Sequence, residues 1–222
     1  MTALVPDLKI TPRTGGYARG QEGVEQILRG ALSVLVESGY KAMTLRRIAQ
    51  ACGMNVGNLN YYYKSKADLV HALLDALISG YEGVFDALAH EPNVPADVRL
   101  ERLVSVILQD ITTKKTTRVF PELWALANHD KFVQERVDDL YARARVTLVE
   151  LIGEINPALP ADERETLALF ISASLEGTTI FAGHGKAWQG RMGWIERAAH
   201  RSFVPLVKSL KPGELSGRAN PS

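Results

Sequence analysis

Four side chains in one short stretch are too polar and too aromatic for a plain core helix. Asn58, Asn60, Tyr61 and Tyr62 crowd together just after Asn55 and Gly57. An Asn amide can pair with an adenine edge, and a Tyr can reach a phosphate or pack on a thymine methyl. Tyrosines in a row can equally be half-buried packing, so the flanking residues carry the argument. Thr44 can cap a short helix with its hydroxyl. That helix turns Leu45, Ile48, Ala49 and Cys52 inward and ends at Gly53, which permits the positive φ of a tight turn. Asn55 can cap a second short helix, whose first N–H groups would then point outward, ready for a phosphate. Met54, Val56 and Leu59 are candidates to hold the second helix on the first, with an outward Val56 as the alternative. Arg46 and Arg47 either solvate the outer face of their helix or touch phosphate. Two short helices around a glycine form a helix-turn-helix, which puts the start of its second helix into the major groove.

Other elements must hold this unit in place. Helical periodicity runs through nearly the whole chain, and alternating strand patterns are scarce. The spacing predicts a helix over 21–38 capped by Gly39, and a fourth helix from Lys66 with a stripe from Leu69 to Leu88. Further helices are expected at 96–113, 117–128, 130–155, 162–182 and 192–210. Pro205, which has no N–H, should kink the last one or end its regular bonding. Residues 1–18 read as a flexible arm, and 211–222 as a flexible tail.

Composition narrows the classes. The chain has 222 residues, 46% hydrophobic and 23% charged, enough to bury a real core. Its one cysteine, Cys52, rules out an internal disulfide and a zinc cluster built on thiolates. The start has no secretory pattern, and no apolar run approaches the roughly 20 residues of a membrane span. The expectation is a cytoplasmic protein away from membranes. Net charge is +1, but residues 9–66 hold nine Lys or Arg against three Glu, a net of +6, leaving −5 for the rest. That asymmetry suits a basic module facing a polyanion and a separate body. No GxSxG, HExxH, CxxC, phosphate-loop lysine or GxGxxG is present. The five histidines have no metal-ligand spacing, and His129-Asp130 reads as a helix cap. No catalytic residue, metal site or cofactor is expected, and the chain is read as no enzyme.

The stretch resembles the DNA-binding domain of the TetR/AcrR family of repressors. The residues that carry the likeness are the helix ending at Gly39-Tyr40, then Thr44 to Ala49, Gly53 to Tyr63, and Lys64 to Leu69. They cover about residues 20–75. The resemblance implies an all-α fold of about nine helices, with three forming a helix-turn-helix domain (19–66) and a helical ligand-binding and dimerisation domain (67–210). It implies a homodimer joined through the last two helices. It implies a palindromic DNA operator and a small-molecule effector of unknown identity. Residue by residue, Thr44 resembles a phosphate-contacting cap, and Asn55, Gly57, Asn58, Tyr61 and Tyr62 lie where the reading helix meets DNA. Lys66 resembles a phosphate-binding lysine, and Tyr63 a buried aromatic. Arg46 and Asn60 join the candidates for DNA contact. Asn60 stands where tyrosine is common, and Val56 where a polar or basic residue is common, which leaves the base preference open.

Candidates in the body follow from an apolar lining with a few polar groups. For the effector they are Leu108, Ile111, Phe120, Trp124 and Asn128, with Tyr141, Glu176, Thr179 and Ile180. For the dimer seam, small residues beside large ones suit close packing across a two-fold: Phe170, Ser174 and Gly177 on one helix, Trp194, Ala198 and Phe203 on the other. The function expected is a ligand-released repressor. The alternative is a DNA-binding dimer without a small-molecule effector, partner-controlled or an activator.

Overall fold

The computed structural model describes residues 7–10 and 18–217. Among them are nine α-helices and one 3-10 turn, and no strand. The helices are α1 (Ala18–Ala42), α2 (Leu45–Ala51), α3 (Val56–Tyr62), α4 (Lys66–Ala89) and α5 (Ala96–Ile111). They continue as α6 (Lys114–Ala127), α7 (Lys131–Ile155), α8 (Ala161–Ala182) and α9 (Met192–Ser209). The chain divides into two compact units. One holds residues 7–10 and 18–81 with Arg118–Leu140; the other holds Glu82–Thr117 and residues 141–217.

In the first unit α1 packs on α2, and α2 on α3. Ile27, Ala31, Ile48 and Leu59 have no exposed surface. Burying each of the larger ones is worth about 1.5–3 kcal/mol, which is how a seven-residue helix too short to persist alone is held. Gly39 (φ 75°) breaks the last turn of α1. A Cβ there would meet the Glu122 carboxylate at 2.8 Å, so both backbone and space require glycine. At the start of α4, Ser65 Oγ accepts from Asp68 N and Asp68 Oδ2 from Ser65 N, both at 3.1 Å, a reciprocal cap. Asp130 Oδ1 accepts from Val133 N at 3.1 Å and caps α7.

The second unit is built on α5, which packs against α8 and α9. Leu100, Leu103, Val104, Leu108 and Ile111 meet Leu167, Ile171 and Leu175 of α8, Phe203 and Val207 of α9, and Leu151 and Ile152 of α7 in one apolar cluster. α8 is apolar on two sides. One face is buried, while Leu169, Phe170, Ile180 and Phe181 of the other are more than half exposed.

Three expectations change. α9 runs through Pro205 to Ser209 as one helix. Proline removes one donor without ending the helix, because Phe203, Val204 and Val207 around it are buried. The tail expected to be flexible is tied down over 211–217: the buried Glu163 Oε1 accepts from the N–H groups of Gly213, Leu215 and Ser216 and from Ser216 Oγ, at 2.9–3.1 Å. Most of the expected arm lies outside the described residues. In the described part, Leu8 is buried and Lys9 N donates to Ala76 O at 2.9 Å.

Candidate nucleic-acid interface

The two caps foreseen in the sequence are made. Thr44 Oγ1 accepts from Arg47 N at 3.1 Å, and Asn55 Oδ1 from Asn58 N at 2.8 Å. Each is worth about 1 kcal/mol to a short helix. Gly53 takes φ 66° in the turn between them. Leu59 and Tyr63 are buried and fix the rotation of α3. With those residues inward, Gly57, Asn58 and Tyr61 face out, and Tyr61 is 78% exposed. Val56 is also on the outer side, at 37% exposed. Arg46, Arg47 and Lys64 are exposed on the flanking elements. The Arg47 guanidinium donates to Ser38 Oγ at 2.9 Å. The surface is therefore cationic at its rim, with an amide and a phenol at its centre.

Three expected DNA contacts sit differently. Tyr62 is half-buried, its hydroxyl so close to Gly23 of α1 that a Cβ there would lie 2.5 Å away. It supports Tyr61 from the side, ring edge to face at 5.3 Å. Asn60 is half-buried, with its Oδ1 turned into the protein and without a hydrogen-bond partner. The reason is geometric: with Leu59 and Tyr63 inward, Asn60 falls on the flank of the helix next to Tyr63, about 100° of rotation away from Tyr61 at the centre of the outer face. Lys66 is engaged with Tyr40, donating to its carbonyl at 2.8 Å and lying 3.6 Å over its ring. Burial lowers its pKa.

Behind the helices, Cys52 closes on α1. Its Sγ lies 3.4 Å from Gln26 O, and Gln26 Nε2 donates to Cys52 O at 2.7 Å. A Cβ at Gly30 would come within 2.3 Å of that sulfur. Burial raises the thiol's pKa, so Cys52 is a packing residue.

In the second unit, Leu108, Ile111 and Thr179 are buried, and Tyr141 and Glu176 are partly so. Glu176 is hydrogen-bonded to Tyr141. Burial, with the charge of Asp110 adding to it and the Tyr141 bond opposing, raises its pKa to about 7. Nothing in the spacing of residues points to Asp110, which is 4% exposed and accepts from Thr116 Oγ1 at 2.7 Å. A lone Asp near the end of a periodic helix reads as its solvent face. Phe120 and Trp124 lie in the other unit, where Phe120 meets Tyr81 edge to face at 5.3 Å. Asn128 and Ile180 are exposed and line no interior. Asn128 instead donates to Trp124 O, because the helix end offers that carbonyl.

Of the seam candidates, Phe170 and Trp194 are 53% and 61% exposed, and Ala198 is exposed. Ser174, Gly177, Trp194 and Ala198 line an open groove of about 650 Å³ with Phe181 and Trp188. Arg191 lies over the Trp194 ring at 4.5 Å. Phe203 is a core residue, 8% exposed, with Phe170 resting edge-on against it at 6.4 Å.

A capped pair of short helices with an outward polar face, joined to a helical body, defines a helix-turn-helix DNA-binding regulator of transcription. Known proteins agree. Residues 27–73 match the model for bacterial regulatory proteins of the tetR family, and 96–188 the C-terminal model of BetI-type transcriptional repressors. An HTH-type transcriptional regulator in the dhlA 5′ region of Xanthobacter autotrophicus is 27% identical over 156 residues, covering 68% of this chain and 72% of that one. The HTH-type transcriptional repressor KstR of Rhodococcus jostii is 33% identical over 135 residues, 56% of this chain and 60% of its own. A transcriptional regulator from Saccharomonospora viridis, solved in complex with choline, superposes with a TM-score of 0.68 at 19% identity, over 85% of this chain and 96% of that one. The chain belongs to the TetR family of transcriptional regulators. No helix among the described residues is long and apolar enough to cross a membrane.

Proposed function

We propose that this chain is a cytoplasmic homodimeric repressor that holds a palindromic operator and is released by a small molecule bound in its second unit. It performs no catalysis. The observation that carries the reading is the outward face of α3, where Asn58 and Tyr61 stand exposed on a helix fixed by Leu59 and Tyr63. Asn58 is suited to an adenine edge, Tyr61 to a phosphate or a thymine methyl. The +6 charge over 9–66 supplies the sequence-independent attraction.

Two copies extend this to a palindrome. Their reading helices must sit about 34–36 Å apart to enter successive major grooves. The exposed face of α8, with Phe170, Ile180 and Phe181, and the Trp194 side of α9 support a seam between copies. A helix with a second, exposed apolar face is one whose second face is covered in the assembly. The seam then consists of Phe170, Ser174, Gly177, Trp194 and Ala198. The choline complex of the S. viridis relative supports a small-molecule effector. So does a desolvated polar pair in the second unit, the Glu176 carboxyl hydrogen-bonded to Tyr141. An effector preferring a different spacing of the reading helices would weaken operator binding. DNA must then weaken effector binding by the same factor.

Selection from random duplex DNA at fixed salt, followed by sequencing, tests the reading. Recovery of a palindrome by a species of twice the chain mass in light scattering supports it. A pure monomer at micromolar concentration, or the absence of any sequence preference, overturns it.

A further inference from the structure

A glycine inside a helix needs a reason, because it is the poorest helix former after proline. Gly23 lies within α1, well before the break at Gly39, so its backbone is helical and open to any residue. The reason is space. A Cβ at Gly23 would fall 2.5 Å from the Tyr62 hydroxyl oxygen, 2.7 Å from its Cζ and 3.3 Å from its Cε1. Gly23 is buried, although Gln21 and Glu22 before it are exposed. The far end of the Tyr62 ring fills the notch that the missing side chain leaves. The same ring meets Tyr61 edge to face, with centroids 5.3 Å apart.

Tyr61 is the side chain this contact can steer. It is 78% exposed near the end of a seven-residue helix, where a side chain moves between its staggered rotamers. Freezing one of them on DNA weakens binding by the entropy lost. A contact that selects the bound orientation beforehand restores that affinity, and an edge-to-face pair is strong enough to bias a rotamer. Neighbours on a helix leave it about 100° apart, so Tyr62 steers Tyr61 only while its own ring is held. Gly23 is what the far end of that ring is held against.

Resting on the reading of α3 given above, we propose that Gly23 and Tyr62 are positioning residues for operator binding. The notch at Gly23 seats the Tyr62 ring, and the seated ring holds Tyr61 in the orientation it uses on DNA. Tyr62 acts through Tyr61 and not by a contact of its own to DNA. The orientation of a side chain on the reading helix is thereby set by a residue of α1.

The atoms that would meet a Cβ at position 23 belong to the tip of one side chain, so Gly23→Ala moves the Tyr62 ring and leaves the backbone in place. Alanine also favours α1. Melting therefore falls less in Gly23→Ala than in Tyr62→Ala, while operator affinity falls about threefold to tenfold in both.

The probe is the palindromic duplex that the wild-type full-length protein selects. Its affinity is measured at fixed salt for Gly23→Ala, Tyr62→Ala and Tyr62→Phe, each with and without Tyr61→Ala. The expected result is that the losses in Gly23→Ala and Tyr62→Ala vanish once Tyr61 is absent, and that Tyr62→Phe, which keeps the ring, binds as wild type does. Losses that persist undiminished without Tyr61 overturn the proposal, since a direct DNA contact by Tyr62 or a general lesion of the fold would give them. So does a Tyr62→Phe variant as weak as Tyr62→Ala, or unchanged affinity in Gly23→Ala and Tyr62→Ala. A wild-type protein that selects no sequence overturns the reading of α3 itself, and this proposal with it.

Discussion

Replacing Glu176 by Gln removes a desolvated carboxyl whose pKa is raised to about 7, and the effect on the protein follows from linkage. Below pH 4.5, its ordinary value, the group is protonated folded or unfolded, and contributes nothing to the pH dependence. Between 4.5 and about 7 the unfolded chain releases the proton while the native state keeps it, so stability falls as pH rises. Above about 7 both states are ionised and the penalty is complete. The gap between 4.5 and about 7 is worth about 3 kcal/mol at full effect. The partial exposure of Glu176 trims this toward about 1–2 kcal/mol. Gln keeps the shape and an acceptor for Tyr141 but has no proton to lose. Urea unfolding of both proteins, at equal concentration and at half-unit steps from pH 4 to pH 8.5, reads the difference directly. The expected result is a gap between wild type and variant that opens across pH 4.5–7 in favour of the variant, then stays constant. Curves that run parallel throughout would refute the placement of this carboxyl.

Tyr61→Ala should leave the melting curve unchanged and weaken operator binding by about 1–3 kcal/mol, whereas Tyr62→Ala should lower the melting temperature through its lost packing beside Gly23; calorimetry beside gel shifts separates the two. Gly30→Ala drives a methyl to 2.3 Å from the Cys52 sulfur and should cost about 1–3 kcal/mol, with much of the loss restored by adding Cys52→Ala, as a double-mutant cycle measures. The donors around Glu163, led by the Ser216 N–H, lower its pKa; the clasp on 211–217 is therefore complete above pH 4.5 and lost as pH falls below it. In Glu163→Ala the amides of Gly213, Leu215 and Ser216 should exchange faster at neutral pH, and equal exchange in both proteins would count against the clasp.

Much of this molecule was legible because its signals are local. A cap is written in the residue that makes it, so Thr44, Gly53 and Asn55 mark α2, the turn and α3. Long apolar stripes place α4 to α9 within a few residues of their ends. What escaped depends on rotation and on distant partners. In a seven-residue helix one side chain's inward turn decides the next, and nothing in the type of Asn60 or Tyr62 says which way it faces. Asp110 and Glu176 lie 66 positions apart, and only packing makes one feel the other. Glu163 looks like an ordinary acidic residue in a first helical turn; its donors lie fifty residues on, in a segment whose Pro and Gly read as mobile.

The shortness of α3 limits how much one copy can know. Three outward positions, Gly57, Asn58 and Tyr61, can distinguish only a few base pairs. Among about a million competing positions, a unique address needs about ten specified pairs. A lone reading helix would therefore find its sequence by chance at thousands of places and rest at each. A second helix at a fixed distance does more than add contacts: it multiplies the odds against a chance match. A device that shifts that distance erases the address while leaving every letter of it intact.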